Sequence, residues 1–333
     1  MTETTILAEI WRGPILESVH RGTVVVCRPD GEVVDAWGDP ARVILPRSSC
    51  KMMQGLPLVE SGVADRAHLT DAHLALACAS HQGAEVHTTL ARAWLADLGL
   101  AEGDLRCGPQ IPDDAAARQN LREHGAKADQ THNNCSGKHC GFLTLGQALG
   151  AGPEYVEPDH PVQAAAKQAI ADLAGEDLSD FAIDGCSAPN YAMSMQGFAT
   201  ALARYAAPDE VFTSTRAHAM RRLREAMAAH PVLVAGEKRA CTRLIRSLSG
   251  GAVVKTGAEG VFAAILPAQR LGIAVKCDDG SNRGAEAAIT ALLARYGALD
   301  RSAPVYTDLA DAPLRNRRDI VNGHLRAGSA LLN

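Results

Sequence analysis

Apolar and polar positions alternate from the start of the chain, and the pattern predicts strands over residues 4–12 and 14–27. Arg28-Pro29-Asp30-Gly31 has the Pro and Gly of a tight turn, and Val33 to Trp37 follows as a further strand, so the chain opens with antiparallel β-structure. After Pro46, the segment Ser48 to Glu60 reads as a short helix broken by Pro57, which has no N–H to donate. From about residue 70 to 245 the period becomes helical: Thr70-Asp71 caps a helix over Ala72 to Ala79, and others cover His87 to Leu98, Val162 to Ala174, Met195 to Ala206 and Val211 to His230. Two stretches rich in Asn, Ser, Gly and Cys, His132 to Gly141 and Asp184 to Ala192, are predicted as loops. Strands return over Ala252 to Lys255, Val261 to Leu266 and Arg270 to Cys277, and Asn282 to Tyr296 is a long amphipathic helix.

Strands at both ends of a helical middle predict an α/β fold: an antiparallel sheet built from both termini, with flanking helices and an inserted helical lobe. The expected division is a discontinuous sheet domain over residues 1–65 and 246–333 and a mainly helical lobe over 66–245. A length of 333 residues is compatible with two packed lobes.

Composition narrows the function. Lys and Arg number 33 against 38 Asp and Glu, and only 4% of residues are aromatic, so neither the basic stripe nor the stacking platform of a nucleic-acid binder is present. The basic cluster Arg315, Arg317, Arg318 lies beside Asp311 and Asp319 and reads as a solvated tail segment. No apolar run approaches the roughly 20 residues that span a bilayer, and the first residues lack the charged and apolar regions of a signal peptide, so a cytoplasmic location is expected. The nine cysteines are scattered without the spacing of a disulfide framework. Cys135, Cys140 and Cys186 stand out because they fall in the two polar stretches.

Candidate chemistry begins at Ser48-Ser49-Cys50-Lys51, the one Ser-x-x-Lys of the chain. Residues three apart share a helix face, so Lys51 is placed to take the proton of Ser48, provided it is held as the free amine. Free N–H groups at a helix start can also stabilise an oxyanion. Ser80-His81-Gln82 and Lys255-Thr256-Gly257 follow in order. Together the three elements follow the pattern of serine β-lactamases and penicillin-binding proteins, in which the middle element usually ends in Asn rather than the Gln82 found here. A cation at Lys255 would help to keep Lys51 neutral.

These motifs, together with Pro46-Arg47, Cys78-Ala79, Asn133-Asn134-Cys135-Ser136-Gly137-Lys138-His139 and Asp184-Gly185-Cys186, resemble the L-asparaginases of the Rhizobium etli type, also called class 3. The resemblance covers nearly the whole chain and implies a serine β-lactamase-like fold. It implies hydrolysis of L-asparagine to L-aspartate and ammonia by two Ser-Lys tandems, Ser48 with Lys51 and Ser80 with Lys255, Ser48 being the nucleophile. It also implies a homodimer and a zinc ion held by Cys135, Lys138 and Cys186. Spacing alone would instead nominate Cys135, His139 and Cys140, since zinc is ordinarily held by Cys, His and carboxylate. A lysine ligates only as the neutral amine, so affinity should fall as pH drops.

An α-amino acid substrate needs partners for both its charges. Arg47, beside the nucleophile, suits the carboxylate, because guanidinium meets carboxylate in a two-pronged geometry. Asp184 suits the ammonium, His139 is a polar candidate near both, and Gly257 completes the substrate-binding set. Two rivals remain: an enzyme of the same fold acting on glutamine or a β-lactam, and a non-catalytic zinc-binding protein. One methylene separates asparagine from glutamine, worth only about 1 to 3 kcal/mol in a pocket.

Overall fold

A computed structural model describes residues 4–332. Among them twelve strands run in chain order: β1 Thr5–Arg12, β2 Ile15–Cys27, β3 Val33–Trp37, β4 Val43–Ile44, β5 Phe181–Ile183, β6 Pro189–Tyr191, β7 Met193–Ser194, β8 Val253–Thr256, β9 Val261–Leu266, β10 Leu271–Cys277, β11 Asp311–Arg315 and β12 Val321–Ala327. The chain divides into two compact units. One comprises Met1–Ser49, Met193–Val211 and Arg243–Asn333, the other Cys50–Ala192 and Phe212–Thr242.

The first unit is built on an eight-stranded sheet in the order β11-β12-β1-β2-β10-β9-β8, with β3 also on β2, and every pairing is antiparallel. Both termini therefore supply the sheet. β1 joins the last strand through Ala8↔Ala327 and Ile10↔Leu325, and β2 joins β10 through Val25↔Ala274. Every residue of β9 is buried, which explains why it reads as a continuous apolar run rather than an alternating one. The helix Met195–Ala206 packs on β2, β9 and β10, and Asn282–Arg295 packs on β1, β9 and β10.

The structure moves two of the expected boundaries. The first segment of the sheet unit ends at Ser49 rather than near 65, and Met193–Val211 returns from the helical middle to this unit, because its helix is buried against the sheet. The basic cluster is not a tail either. Arg315 ends β11, Arg317 and Arg318 sit in the turn before β12, and Arg315 Nη1 lies 3.6 Å from Asp319 Oδ1. Alternation was hidden there by charged and polar residues, and these strands depend on the non-local pairing of β12 with β1.

The second unit is mainly helical. The Ser48–Glu60 segment is a 3₁₀ turn, Arg47–Cys50, then helices Lys51–Gln54 and Leu56–Glu60. The break falls at Gly55, and Pro57 sits in the first turn of the second helix, where its missing N–H costs nothing. Thr70 caps Asp71–Ala77 in a capping box with His73.

The largest departure from the expected pattern is Ser136–Ala148. This segment is a 13-residue helix rather than a loop as far as Gly141, and Ser136 through Gly146 are all buried. It packs against Leu56–Glu60, Asp71–Ala77, Glu85–Asp97 and Pro161–Ala174. A helix covered on all sides has no polar face and so shows no helical period. Its glycines permit close approach: a Cβ on Gly137 would stand 2.2 Å from the Leu76 carbonyl oxygen. The second predicted loop is a small hairpin, β5 paired with β6 through Ala182↔Asn190.

Candidate active site

In the sheet unit, Ser48 follows Arg47, a non-glycine residue at φ +54. That conformation costs L-residues roughly 1 to 2 kcal/mol and is retained where the surroundings fix it. Here the Pro46 carbonyl accepts the Ser49 backbone N–H at 3.2 Å and the Ser49 hydroxyl at 2.5 Å, locking the turn that presents Ser48. The end of β8 lies against the same turn: a Cβ on Gly257 would be 2.7 Å from Pro46 O and 3.3 Å from Ser49 N. Lys255, on β8 opposite Ala263, is fully buried, and its Nζ donates to Thr256 O at 2.8 Å.

In the helical unit, Lys51 is 1% exposed, and its Nζ donates to the carbonyls of Ala79 and, at 3.4 Å, Asn134. Ala79 immediately precedes Ser80, whose backbone N–H donates to Val234 O at 2.9 Å. The Asn134 carbonyl also accepts His81 N–H at 3.2 Å. His81 is pinned in turn by Ser136 Oγ, 2.9 Å from its Nε2, and by stacking on His87. The Asn134 carbonyl is thus shared by the Lys51 amine and the His81 N–H, so Lys51 is tied to the segment that carries Ser80.

Next to Lys51 stands a buried sulfur–nitrogen cluster. Cys135 precedes the buried helix, Lys138 lies in its first turn, and Cys186 sits in the β5–β6 turn. Lys138 Nζ is 3.1 Å from Cys186 Sγ, and the Cys135 thiol faces Asn134 Oδ1 at 2.9 Å. A hydrogen bond from Cys135 holds the Cys186 thiol well below its usual range against the opposing effect of burial, helped by the charge of Lys138. The same shared proton, with burial, pushes Cys135 up to about 12. Burial opposes the charge of Lys138, but the sulfurs of Cys186 and Cys135 outweigh it and raise its affinity for the proton. Asp184 adds a negative charge felt by Lys138, and its carbonyl accepts Ser187 N–H at 2.8 Å, shaping the turn.

The spacing-based alternative for a metal comes apart. Cys140 faces away, its Sγ 3.9 Å from the Ala91 carbonyl, because one helical residue beyond His139 turns it toward the neighbouring helix. His139 is fully buried with Nδ1 2.8 Å from the Tyr155 hydroxyl, and its Nε2 has no hydrogen-bond partner among the described residues. Burial drives its imidazole well below the usual range, with Lys138 adding to the effect, so it stays neutral. Sequence reasoning missed Asn134 as the carbonyl holding Lys51; an Asn-Asn pair before a buried helix was the available signal.

The family described as L-asparaginase II matches residues 8–327. The chain belongs to the L-asparaginase II family. Both Ser-Lys elements, the thiol–lysine cluster and the Arg47 turn fall within the matched span, and membership makes the protein an amidohydrolase of the asparaginase type. Among curated proteins no match was found. Of solved structures, the chain is similar to a beta-lactamase (Mb2281c) from Mycobacterium bovis, with 15% identity over 83% of this chain and 94% of that one and a TM-score of 0.43. It is also similar to Mglu, with 14% identity over 85% of this chain and 69% of that one and a TM-score of 0.46. No described helix is long and apolar enough to cross a membrane.

Proposed function

We propose that this family member hydrolyses L-asparagine to L-aspartate and ammonia, with Ser48 as nucleophile and Lys51 as its base. The observation that carries the reading is the environment of Lys51: two backbone carbonyls, of Ala79 and Asn134, accept from its amine. A neutral amine has two N–H bonds and one lone pair. With both N–H bonds committed to carbonyls, the lone pair is left for a hydroxyl proton.

Lys51 takes the Ser48 proton as Oγ adds to the side-chain amide carbon, and returns it to the leaving nitrogen as the C–N bond breaks and ammonia departs. Water then adds to the aspartyl ester, giving its proton to Lys51, and the ester C–O bond breaks to restore the Ser48 hydroxyl. Ser80 and Lys255 relay protons and tune Lys51. Arg47 binds the substrate carboxylate and Asp184 its ammonium, while the spare Nε2 of buried His139 offers a neutral polar contact. Gly257 leaves room at the turn beneath.

Zinc is the proposed cofactor. Cys135, Lys138 and Cys186 fit it: two sulfurs and an amine, all buried, with Cys186 poised as a thiolate. Bound there, zinc would order the β5–β6 turn against the start of the buried helix and help to position substrate. All nine cysteines are buried and outside any disulfide, which suits a reducing cytoplasm, and a homodimer is proposed from the family resemblance.

Ammonia release from L-Asn, D-Asn and L-Gln, with hydrolysis of a chromogenic cephalosporin in parallel, tests the reading on wild type beside Ser48→Ala. L-Asn should be preferred, and Ser48→Ala should lose about a thousandfold or more of the rate while keeping its fold. Preference for L-Gln or the cephalosporin, or normal turnover by the variant, would refute it.

A further inference from the structure

The sheet unit contains a second convergence of donor groups, distinct from the thiol–lysine cluster. His20 on β2, Cys277 at the end of β10 and Asp279 in the turn that follows each offer one ligand atom, and these atoms lie within 4.8 Å of one another. His20 Nδ1 is 2.6 Å from Asp279 Oδ2, and the Cys277 thiol donates to Asp279 Oδ1 at 3.0 Å. His20 is 7% exposed and Cys277 fully buried, while the Asp279 side chain is 49% exposed, so the group has rigid walls and an open side. Room for it is specific: a Cβ on Gly284, in the first turn of the packed helix, would meet His20 Cβ at 2.7 Å and Cys277 Sγ at 3.0 Å.

We propose that His20, Cys277 and Asp279 form a binding site for Zn²⁺ or another thiophilic divalent cation, completed by water. The donor set is one thiolate, one imidazole and one carboxylate, the chemistry that selects zinc among divalent ions, and three protein ligands leave a fourth position for solvent. Both protons now directed at Asp279 lie where the cation would sit. On binding, the Cys277 thiol proton leaves to solvent, the His20 ring proton moves from Nδ1 to Nε2 by exchange with water, and the charges of thiolate and carboxylate balance the dication.

One neighbour competes. Arg283 Nε donates to His20 Nε2 at 2.8 Å, which requires that nitrogen unprotonated. Arg283 is exposed and can turn away, so its hydrogen bond sets the affinity rather than forbidding the site. The bound ion would tie β2, β10 and the start of the helix Asn282–Arg295 together.

The test is titration of metal-stripped full-length protein with Co²⁺, whose absorption reports thiolate ligation, alongside zinc stoichiometry. Wild type should bind one more equivalent than Cys277→Ser, whatever the Cys135–Cys186 cluster binds. Asp279→Asn, a surface change that leaves the core intact, should weaken that equivalent at least about tenfold, and Arg283→Gln should tighten it. Equal stoichiometry and affinity in wild type, Cys277→Ser and Asp279→Asn would overturn the site.

Discussion

A first side-chain carbon at Gly257 would stand 2.7 Å from the carbonyl oxygen of Pro46, a backbone atom that cannot rotate away. That same oxygen anchors Ser49 and fixes the turn presenting Ser48. Gly257→Ala should therefore displace the nucleophile's turn while leaving the sheet, to which Gly257 N–H bonds through Val261 O at 2.7 Å, largely in place. A misplacement of about 1 Å costs on the order of a hundredfold in rate. Steady-state ammonia release should show that loss in kcat with unfolding little changed; wild-type kcat would disprove the role.

Gly137→Ala acts on stability instead. Its methyl would meet the Leu76 backbone oxygen at 2.2 Å, so two buried helices must separate. Although alanine favours helix over glycine by about 1 kcal/mol, overpacking of this kind costs about 1 to 3 kcal/mol. Urea unfolding should give a lower midpoint for the variant, and an unchanged or higher midpoint would contradict the packing account.

The thiol–lysine cluster predicts a metal dependence with a definite sign. Cys186→Ser and Lys138→Met should each lose one zinc equivalent by elemental analysis. Lowering the pH should release that zinc from wild type, because protons compete for the amine and the thiolates. Retention of full zinc by both variants would remove these residues from the ligand set.

Asp129 caps the short turn that leads into Asn133-Asn134, accepting from Thr131 N–H at 2.9 Å and Thr131 Oγ1 at 2.6 Å and pairing with Arg92 at 2.9 Å. Burial opposes its charge, but Thr131, Arg92 and His132 together hold its carboxyl at about 2. A carboxylate depressed in the folded state stabilises above its unfolded value, and the contribution is lost as pH falls through the folded one. Asp129→Asn should thus be less stable than wild type at neutral pH, with the gap narrowing from about pH 4 toward 2. A gap independent of pH in denaturant titrations would refute the assignment.

Much of this protein could be read from local pattern. Strands β2 and β3 and the helix Met195–Ala206 were predicted closely from residue pattern, and β9 from its short, unbroken apolar run. The Ser48, Lys51, Ser80 and Lys255 motifs stand out in the sequence as restricted residue types at fixed spacing, which is what the proposed chemistry asks of them. The family's span over residues 8–327 accords with motifs distributed from one end of the chain to the other.

Tertiary structure decided the rest. A helix surrounded by other helices needs no polar face, so Ser136–Ala148 looked like a loop, and its Gly137 is there for close approach to Leu76 rather than for flexibility. Strands β11 and β12 exist through a partner at the opposite end of the chain. Sequence named Lys51 as a base, but the carbonyls of Ala79 and Asn134 that receive its amine lie 28 and 83 residues away. Local pattern records which face of an element is buried; it carries no record of which distant backbone atom lies against it.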